Sequence, residues 1–429
     1  RRVLLNKYPI GKGDFDLFKA FAWQALKVTS GDQGAVGLVL PKTALSAAGL
    51  EQWRRAVQEQ ASFSDVLIIV NNQQWAFPIH PQYAVACVSI DFGRRVPASV
   101  RATAFSLEEF NTLINSDPVV IPRESLLNFT KSASIPIVRR QMDADIMAQM
   151  RKQPGLDEVL GGRVRAVSEL HATNDRKYFD HGEGDGHIPV LTGASFNVWT
   201  PDTGTVFAWA DPKIAVPYLK AKFHNQQKMK KSAFYGYDLD EDLDGKMPFL
   251  RPRIAIRGVT NPTNSRTLIP ALVPGNRLLV NTAPYLLLPA GSANVEAFLL
   301  GIMSSIVFDW YSRRFIETAV NFHLLGAFPV PENVSSAPSK EIASVSARIV
   351  ARDELFSEWA ATADCNLAAL GSPKEREDSI AELDALVALA YGLNQKQLVH
   401  VFETFHRGWD YQPRLEKVLD FFRQWEDKT

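Results

Sequence analysis

The sequence is poor in the features that most directly announce a function. It holds two cysteines, Cys87 and Cys365, far apart in the chain. That excludes a disulfide framework and a cysteine zinc site, and it suits a reducing cytosol. No uninterrupted apolar run is long enough to span a bilayer. The first nine residues are not a signal peptide, because no apolar stretch with a small-residue cleavage site follows them. The expectation is a cytoplasmic protein with no membrane partner. Net charge is also missing: 47 lysines and arginines balance 47 aspartates and glutamates. A uniformly basic, non-specific nucleic-acid binder is thereby disfavoured, while a local basic stripe is still allowed. No serine or cysteine nucleophile stands out with a histidine base. No Pro-Asp…Asp/Glu-x-Lys nuclease signature, internal repeat or low-complexity tract occurs. The acidic cluster at 238–244 is spaced a little like a calcium loop, but it lacks the glycine and terminal glutamate of an EF-hand. A solvated loop is expected there, and no metal.

What is present points to a globular chain of several parts. Its 429 residues are too many for one ordinary domain, so two or three are expected. The first residue is not Met, so the chain is expected to begin inside a longer gene product. Apolar residues recur at helical spacing over 14–28, with Asp14 as the expected N-cap. A glycine break follows, then a short apolar strand at 35–41 closed by proline. Residues 50–60 read as a helix, and 66–70 and 83–90 as two more strands. Helices alternating with continuous apolar strands predict an α/β sheet covered on both faces. Only about three strands are visible, so this is expected to be the end of such a sheet. A short helix capped by Ser106 and another at 143–151 follow. From 161 to 331 strands, turns and Gly/Pro punctuation dominate. An apolar helix is expected at 297–311 and a linker at 333–340. Amphipathic helices are expected at 341–362, 374–391 and 415–425.

Residues 253–269 set arginines, asparagines and threonines among β-branched apolar residues. Arginine and asparagine are the side chains best suited to base edges and phosphates. Arg253, Arg257, Asn261, Asn264 and Arg266 are therefore the first candidates for reading DNA. Some would contact phosphate, which positions without specifying. Asn261 and Asn264 are also good turn residues. Lys220, Lys222, Lys228, Lys230 and Lys231 form the best phosphate-neutralising run, with Lys228 and Lys230 foremost, or else a solvated face. Arg313 and Arg314 close an apolar helix and would pair with its terminal carbonyls or reach a phosphate. His171, Asn174 and Lys177 lie in a polar loop that could also face DNA.

Several blocks, taken in order, resemble adenine-specific DNA methyltransferases. The likeness is to the large proteins of type IIG restriction–modification and related phage-defence systems, BREX- or DISARM-like. It rests on the Asp16-Leu-Phe-Lys-Ala-Phe21 helix and the strand ending at Pro41. Next come the block Asn71-Asn-Gln-Gln-Trp-Ala-Phe-Pro-Ile-His80 and the Thr-Asn-x-Arg-Thr-Leu-Ile turn ending at Ile269. The Leu-Leu-Gly helix from Leu299 and the Phe-Pro-Val-Pro ending at Pro331 complete the set, with Glu382 to Leu393 resembling the family's C-terminal helix pair. The resemblance implies the end of a Rossmann-like methyltransferase sheet over 1–100 and a connecting segment over 101–160. A mixed α+β target-recognition domain over 161–335 and a helical tail over 340–429 would follow. It implies double-stranded DNA as partner, other defence-system subunits as further partners, and S-adenosylmethionine as cofactor. Asp16, Phe18 and Phe21 would line the cofactor adenine, unless the two phenylalanines are core residues. Phe77, with Trp75 as its rival, would pack against a base flipped out of the duplex. The chain lacks the glycine-rich cofactor turn and the Asn-Pro-Pro-Tyr/Phe tetrapeptide, both of which lie upstream in the family. A C-terminal fragment, inactive alone in methyl transfer, is the expectation. The alternative is a non-enzymatic specificity subunit acting with a separate catalytic chain.

Overall fold

The computed structural model describes residues 2–10, 16–29, 34–80, 83–235, 247–261, 264–288, 293–316, 318–332, 337–363, 372–406 and 408–428. The chain forms two compact units, Arg1–Lys152 and Gln153–Thr429. Both mix helices with sheets, and the second ends in a helical region. The acidic cluster at 238–244 and the expected cap Asp14 lie outside the described residues.

The first unit is built on a five-stranded sheet. Its strands are β1 (Ala35–Pro41), β2 (Ser62–Val70), β3 (Ala84–Asp91), β4 (Ala98–Ala104) and β5 (Val119–Ile121), in the order β1-β3-β2-β4-β5. The three expected strands are all present, and β4 and β5 extend them. Strand β3 runs antiparallel to both β1 and β2, so those two are parallel to each other. Strand β2 is also parallel to β4, whereas β5 is antiparallel to β4. The sheet is mixed, not wholly parallel.

Helix α1 (Leu17–Val28) begins later than expected because Asp16 is the cap, its carboxylate accepting the Phe18 N–H at 3.4 Å. Helix α2 (Glu51–Gln60) makes the crossover from β1 to β2 and buries Trp53, Ala56 and Val57 at i, i+3, i+4 spacing. The Trp53 indole N–H donates to the Ala22 carbonyl at 3.0 Å, which ties α2 to α1. Arg54 on the same helix is fully buried. It donates to the carbonyls of Ala44 (2.7 Å), Ala47 (2.9 Å), Ser132 (2.7 Å) and Ala133 (3.0 Å). Burial pulls its guanidinium down to about 9. Helices α3 (Leu107–Ile114), capped by Ser106 as expected, and α4 (Gln141–Met150) complete the unit's longer elements.

The second unit holds two sheets over one core. The strands are β6 (Arg165–Val167), β7 (Ile188–Leu191), β8 (Ala208–Ala210), β9 (Arg253–Ile256), β10 (Pro270–Val273), β11 (Leu278–Leu279) and β12 (Tyr285–Leu287). They make a four-stranded sheet, β10-β9-β12-β6, and a three-stranded one, β11-β7-β8. All of β9 and β10 is buried. Helix α5 (Pro212–Gln227) was not expected. Asp211 caps it with Pro212 at its first position, and Ala215, Leu219 and Phe223 enter the shared core.

The apolar helix expected at 297–311 is two helices, α6 (Ala293–Ser304) and α7 (Ile306–Ser312), bent by 65°. Ser305 starts the second helix, its hydroxyl accepting the Phe308 N–H at 3.1 Å, while Asp384 accepts the Ile306 N–H at 2.8 Å. No single helix among the described residues is long and apolar enough to cross a membrane.

Helix α8 (Ala337–Val350) starts inside the expected linker and packs on α6 at Gly301, where an added Cβ would stand 2.8 Å from Ile342. The helix expected at 341–362 is thus divided, its second part being Ser357–Thr362. Helices α9 (Pro373–Ala390), α10 (Gln395–Phe405) and α11 (Gln412–Glu426) follow, the first two with capping boxes. Sequence periodicity missed α10.

Replacing Arg54 by Met would leave four inward carbonyls without their charged donor. We expect the first unit to lose about 3–5 kcal/mol of stability, read as a lower urea midpoint; an unchanged midpoint would show these bonds to be dispensable.

Candidate nucleic-acid interface

The arginines of 253–269 turn inward. Arg253 on β9 is buried, and its Nη2 donates to Glu169 Oε2 and to the Arg277 carbonyl, both at 2.9 Å. Its guanidinium lies 4.9 Å from the Tyr285 ring centre. Glu169 also accepts the Leu279 N–H at 2.8 Å. Burial pushes the Glu169 carboxyl up, with Arg253 acting the other way. Arg257 is half-buried and donates to the carbonyls of Gly193 (2.6 Å) and Phe196 (2.8 Å). Burial lowers its guanidinium pKa. Arg266 donates to Asp309 Oδ2 at 2.8 Å and to the Ser304 carbonyl at 2.6 Å. Burial also lowers its pKa, with Asp309 opposing. These three side chains brace the fold. These hydrogen bonds all run to acceptors within the protein, and Arg253 Nε and Nη1 are buried without a hydrogen-bond partner among the described residues, so the structure turns these guanidinium groups inward.

The same loop presents other residues outward. Val259 is 63% exposed, and Asn261 and Asn264 are exposed at a turn closed by Asn264 N to Asn261 O at 3.0 Å. Asp309 holds the base of this turn, accepting the backbone N–H groups of Thr267 (3.1 Å) and Leu268 (2.9 Å). Arg313 donates to the carbonyls of Asn264 (2.9 Å) and Ser265 (2.6 Å) from the helix side. It faces the Phe405 ring at 4.1 Å, while Arg314 faces Trp310 at 4.1 Å. Arg313 thus serves the loop's carbonyls.

The lysine run divides in two. Lys222 points inward, donating to the Glu169 carbonyl (2.7 Å) and to Asp175 (2.9 Å). Lys228, Lys230 and Lys231, past the end of α5, are exposed, and none of their side chains has a hydrogen bond or ion pair among the described residues. Lys230 and Lys231 line one cavity with Arg165. In the polar loop, the His171 ring accepts the Thr173 and Asn174 N–H groups at 3.3 and 3.2 Å, and Lys177 lies 4.9 Å from the Tyr178 ring. Tyr178 stacks on Tyr218 at 3.6 Å.

In the first unit, Asp16 is exposed and capping, and Phe18 is half-buried. Phe21 is 68% exposed, with Leu17 at 56% and Val28 at 72%, so Phe21 is not a core residue. Phe77 is half-buried against Leu67, Ile69 and Val85, beside Trp75 and Phe110. Its backbone is held by Asn71, which is buried. The amide donates to the Phe77 carbonyl at 2.7 Å and accepts the N–H groups of Ala76 (3.1 Å) and Phe77 (3.0 Å). Gln73 and Gln74, exposed in this loop, have φ of +59° and +58°, a conformation that non-glycine residues rarely adopt. Trp75 donates to the Val70 carbonyl at 2.9 Å.

Asp309, Asn71 and Arg165 were not singled out by reading the sequence. The Asp309 signal was available: a lone carboxylate inside an apolar helix must be paired.

No protein-family model matches this sequence, and no curated protein matches it. Solved structures align with it at low similarity, three of them as follows. One is the type IIL restriction–modification enzyme MmeI in complex with DNA, at 14% identity and TM-score 0.45, covering 94% of this chain and 53% of that one. A second is the type IIG restriction endonuclease BpuSI, at 14% identity and TM-score 0.29, covering 91% and 51%. The third is the DrdV–DNA complex, at 9% identity and TM-score 0.32, covering 79% and 39%. The chain spans about half the length of the first two. With every TM-score below 0.5, these likenesses decide neither fold nor function.

Asp309→Asn removes the charge that Arg266 needs. The second unit should lose about 3–5 kcal/mol, measured by urea denaturation, and the 259–268 loop should become open to limited proteolysis. Wild-type stability and resistance would contradict this assignment.

Proposed function

We propose that this chain is the C-terminal part of a site-specific DNA adenine N6 methyltransferase. It would supply DNA target recognition and part of the pocket for S-adenosylmethionine and the flipped adenine. The ordered sequence blocks suggest the reading, and one structural observation carries it. The sheet of the first unit stops at β1, whose outer edge pairs with no strand among the described residues. Native sheets shorten, charge or cover such edges. The seven residues of β1 include no charge, and the one proline is the last residue. Helix α1, packed beside it, also leaves Leu17 and Val28 uncovered. An apolar open edge beside an uncovered apolar helix face suits a sheet continued by further polypeptide. The glycine-rich turn and the Asn-Pro-Pro-Tyr/Phe tetrapeptide would belong to that polypeptide.

On this reading the residues divide their work. The exposed ring of Phe21 offers a free face to the cofactor adenine, with Phe18 and Asp16 on the same helix end. S-adenosylmethionine, held against Asp16, Phe18 and Phe21, would supply the methyl group to the adenine amine, departing as S-adenosylhomocysteine while the amine's proton passes to solvent. Phe77, fixed by Asn71, packs against the flipped base. Asn261 and Asn264, outward on a braced turn, meet base edges; an asparagine amide suits adenine N6 and N7. Lys228 and Lys230 neutralise phosphates. Arg253, Arg257 and Arg266 act by shaping the loop.

The test is duplex binding followed by fluorescence anisotropy between about 50 and 200 mM salt, alongside a methyl-transfer assay. We expect salt-dependent duplex binding and no methyl transfer by the chain alone. Absent or salt-independent binding would overturn the DNA reading, and methyl transfer without a second polypeptide would overturn the division of the catalytic site.

A further inference from the structure

The second unit carries a cavity of about 400 Å³ that the reading above touches only through Lys230. That volume lies within the range of small-molecule sites. Arg165, Lys230, Lys231, Ser232, Tyr235 and Phe322 line it, and so does one carboxylate, Asp157. Three cations therefore face one anion, and Asp157 already has a protein partner. Lys230 and Lys231 have no hydrogen bond or ion pair among the described residues.

Arg165 differs from these flexible lysines. It sits on β6, and its Nη1 donates to the carbonyls of Ala233 (2.6 Å) and Tyr235 (3.2 Å). This fixes the guanidinium before any ligand arrives, while Nε and Nη2 keep their donors uncommitted among the described residues. Arginine held in this way is well matched to phosphate oxygens. Ser232 Oγ accepts the Phe234 N–H at 3.1 Å, so its own proton remains available.

The aromatic lining makes the cavity more than an anion site. Tyr235 is 43% exposed and Phe322 is 41% exposed, although both are large and apolar. Aromatic rings left open beside cations are what a nucleotide requires: a face for the base and charge for the phosphate.

We propose that this cavity is a nucleotide site, holding the phosphate on Lys230, Lys231 and Arg165 and the base against Tyr235 and Phe322. The ligand chemistry has two sources, a nucleotide unit within a DNA strand or a free mononucleotide. Only the first rests on the DNA-binding reading given above.

The experiment uses the full chain, the double variant Lys230→Ala/Lys231→Ala and the single variant Tyr235→Ala. All three side chains are exposed, so folding is not at stake. Duplex DNA is titrated by anisotropy at several salt concentrations, and deoxyadenosine monophosphate by calorimetry. If the source is a strand, the double variant binds duplex about tenfold more weakly, and its slope of log affinity against log salt falls by about 2. Tyr235→Ala then weakens binding about fivefold or more at unchanged slope. If the source is a free nucleotide, wild type binds the monophosphate and the double variant does not. Wild-type duplex affinity and slope in both variants, with no monophosphate binding, would overturn the proposal. Failure of the wild type to bind duplex would instead strike the DNA-binding reading, and the cavity would then stand or fall on the monophosphate titration.

Discussion

Asp309 sits in α7 with no solvent exposure, between the 264–268 turn and the C-terminal helices. Removing a carboxylate from water costs several kcal/mol unless its oxygens are fully used. Here they take Arg266, two successive backbone N–H groups and the Ser312 hydroxyl at 3.1 Å, with Arg313 at 3.8 Å. A second buried carboxylate, Asp384 in α9, accepts the first N–H of α7 and both Nε and Nη2 of Arg414 at 3.0 and 2.5 Å. Helix α7 is thus held at one end by the helical tail and at its middle by the turn. The two carboxylates join the helical tail to the loop that carries Asn261 and Asn264. Asp309 supplies the charge that holds Arg266 inward, and the Ser304 and Ser305 carbonyls take its Nη2 at 2.6 and 3.1 Å.

This arrangement explains why the polar residues of one short stretch have opposite fates. Arg253, Arg257 and Arg266 reach acceptors inside the protein, so they define shape. Asn261 and Asn264 are exposed in the same loop. The lysines repeat the pattern. Lys222, on the inner side of α5, is committed to Asp175 and the Glu169 carbonyl, while Lys228, Lys230 and Lys231 lie past the helix end. A surface that binds nucleic acid needs both kinds, since exposed donors discriminate well only on a rigid support. The loop at Phe77 is built similarly: buried Asn71 fixes the backbone, and the exposed glutamines accept an unfavourable conformation.

Much of the first unit was legible because its strands are continuous apolar runs between turn residues. Residues 35–41 match the observed strand, and Ser106 announced its helix by the capping pattern. Other elements were hidden for identifiable reasons. Helix α5 contains Pro217 and only a narrow buried stripe, so its lysines dominated the reading. The α6–α7 break was invisible because both helices are buried nearly all round and periodicity carries no phase there. The arginines were hardest. Residue type tells that an arginine wants an anion, and burial tells which one. Arg253 finds Glu169 84 positions away, and Arg266 finds Asp309 43 positions away. Such pairings exist only once the chain has folded.

We propose that braced arginines present an outward turn and a basic patch to DNA. Hydrogen–deuterium exchange with and without duplex tests it most directly. Amides of residues 228–235 and 258–265 should gain protection on binding. The Thr267 and Leu268 amides, bound to Asp309, should exchange slowly in both states. Thr267 and Leu268 amides that exchange fast without DNA, or protection that appears elsewhere and spares both stretches, would contradict it.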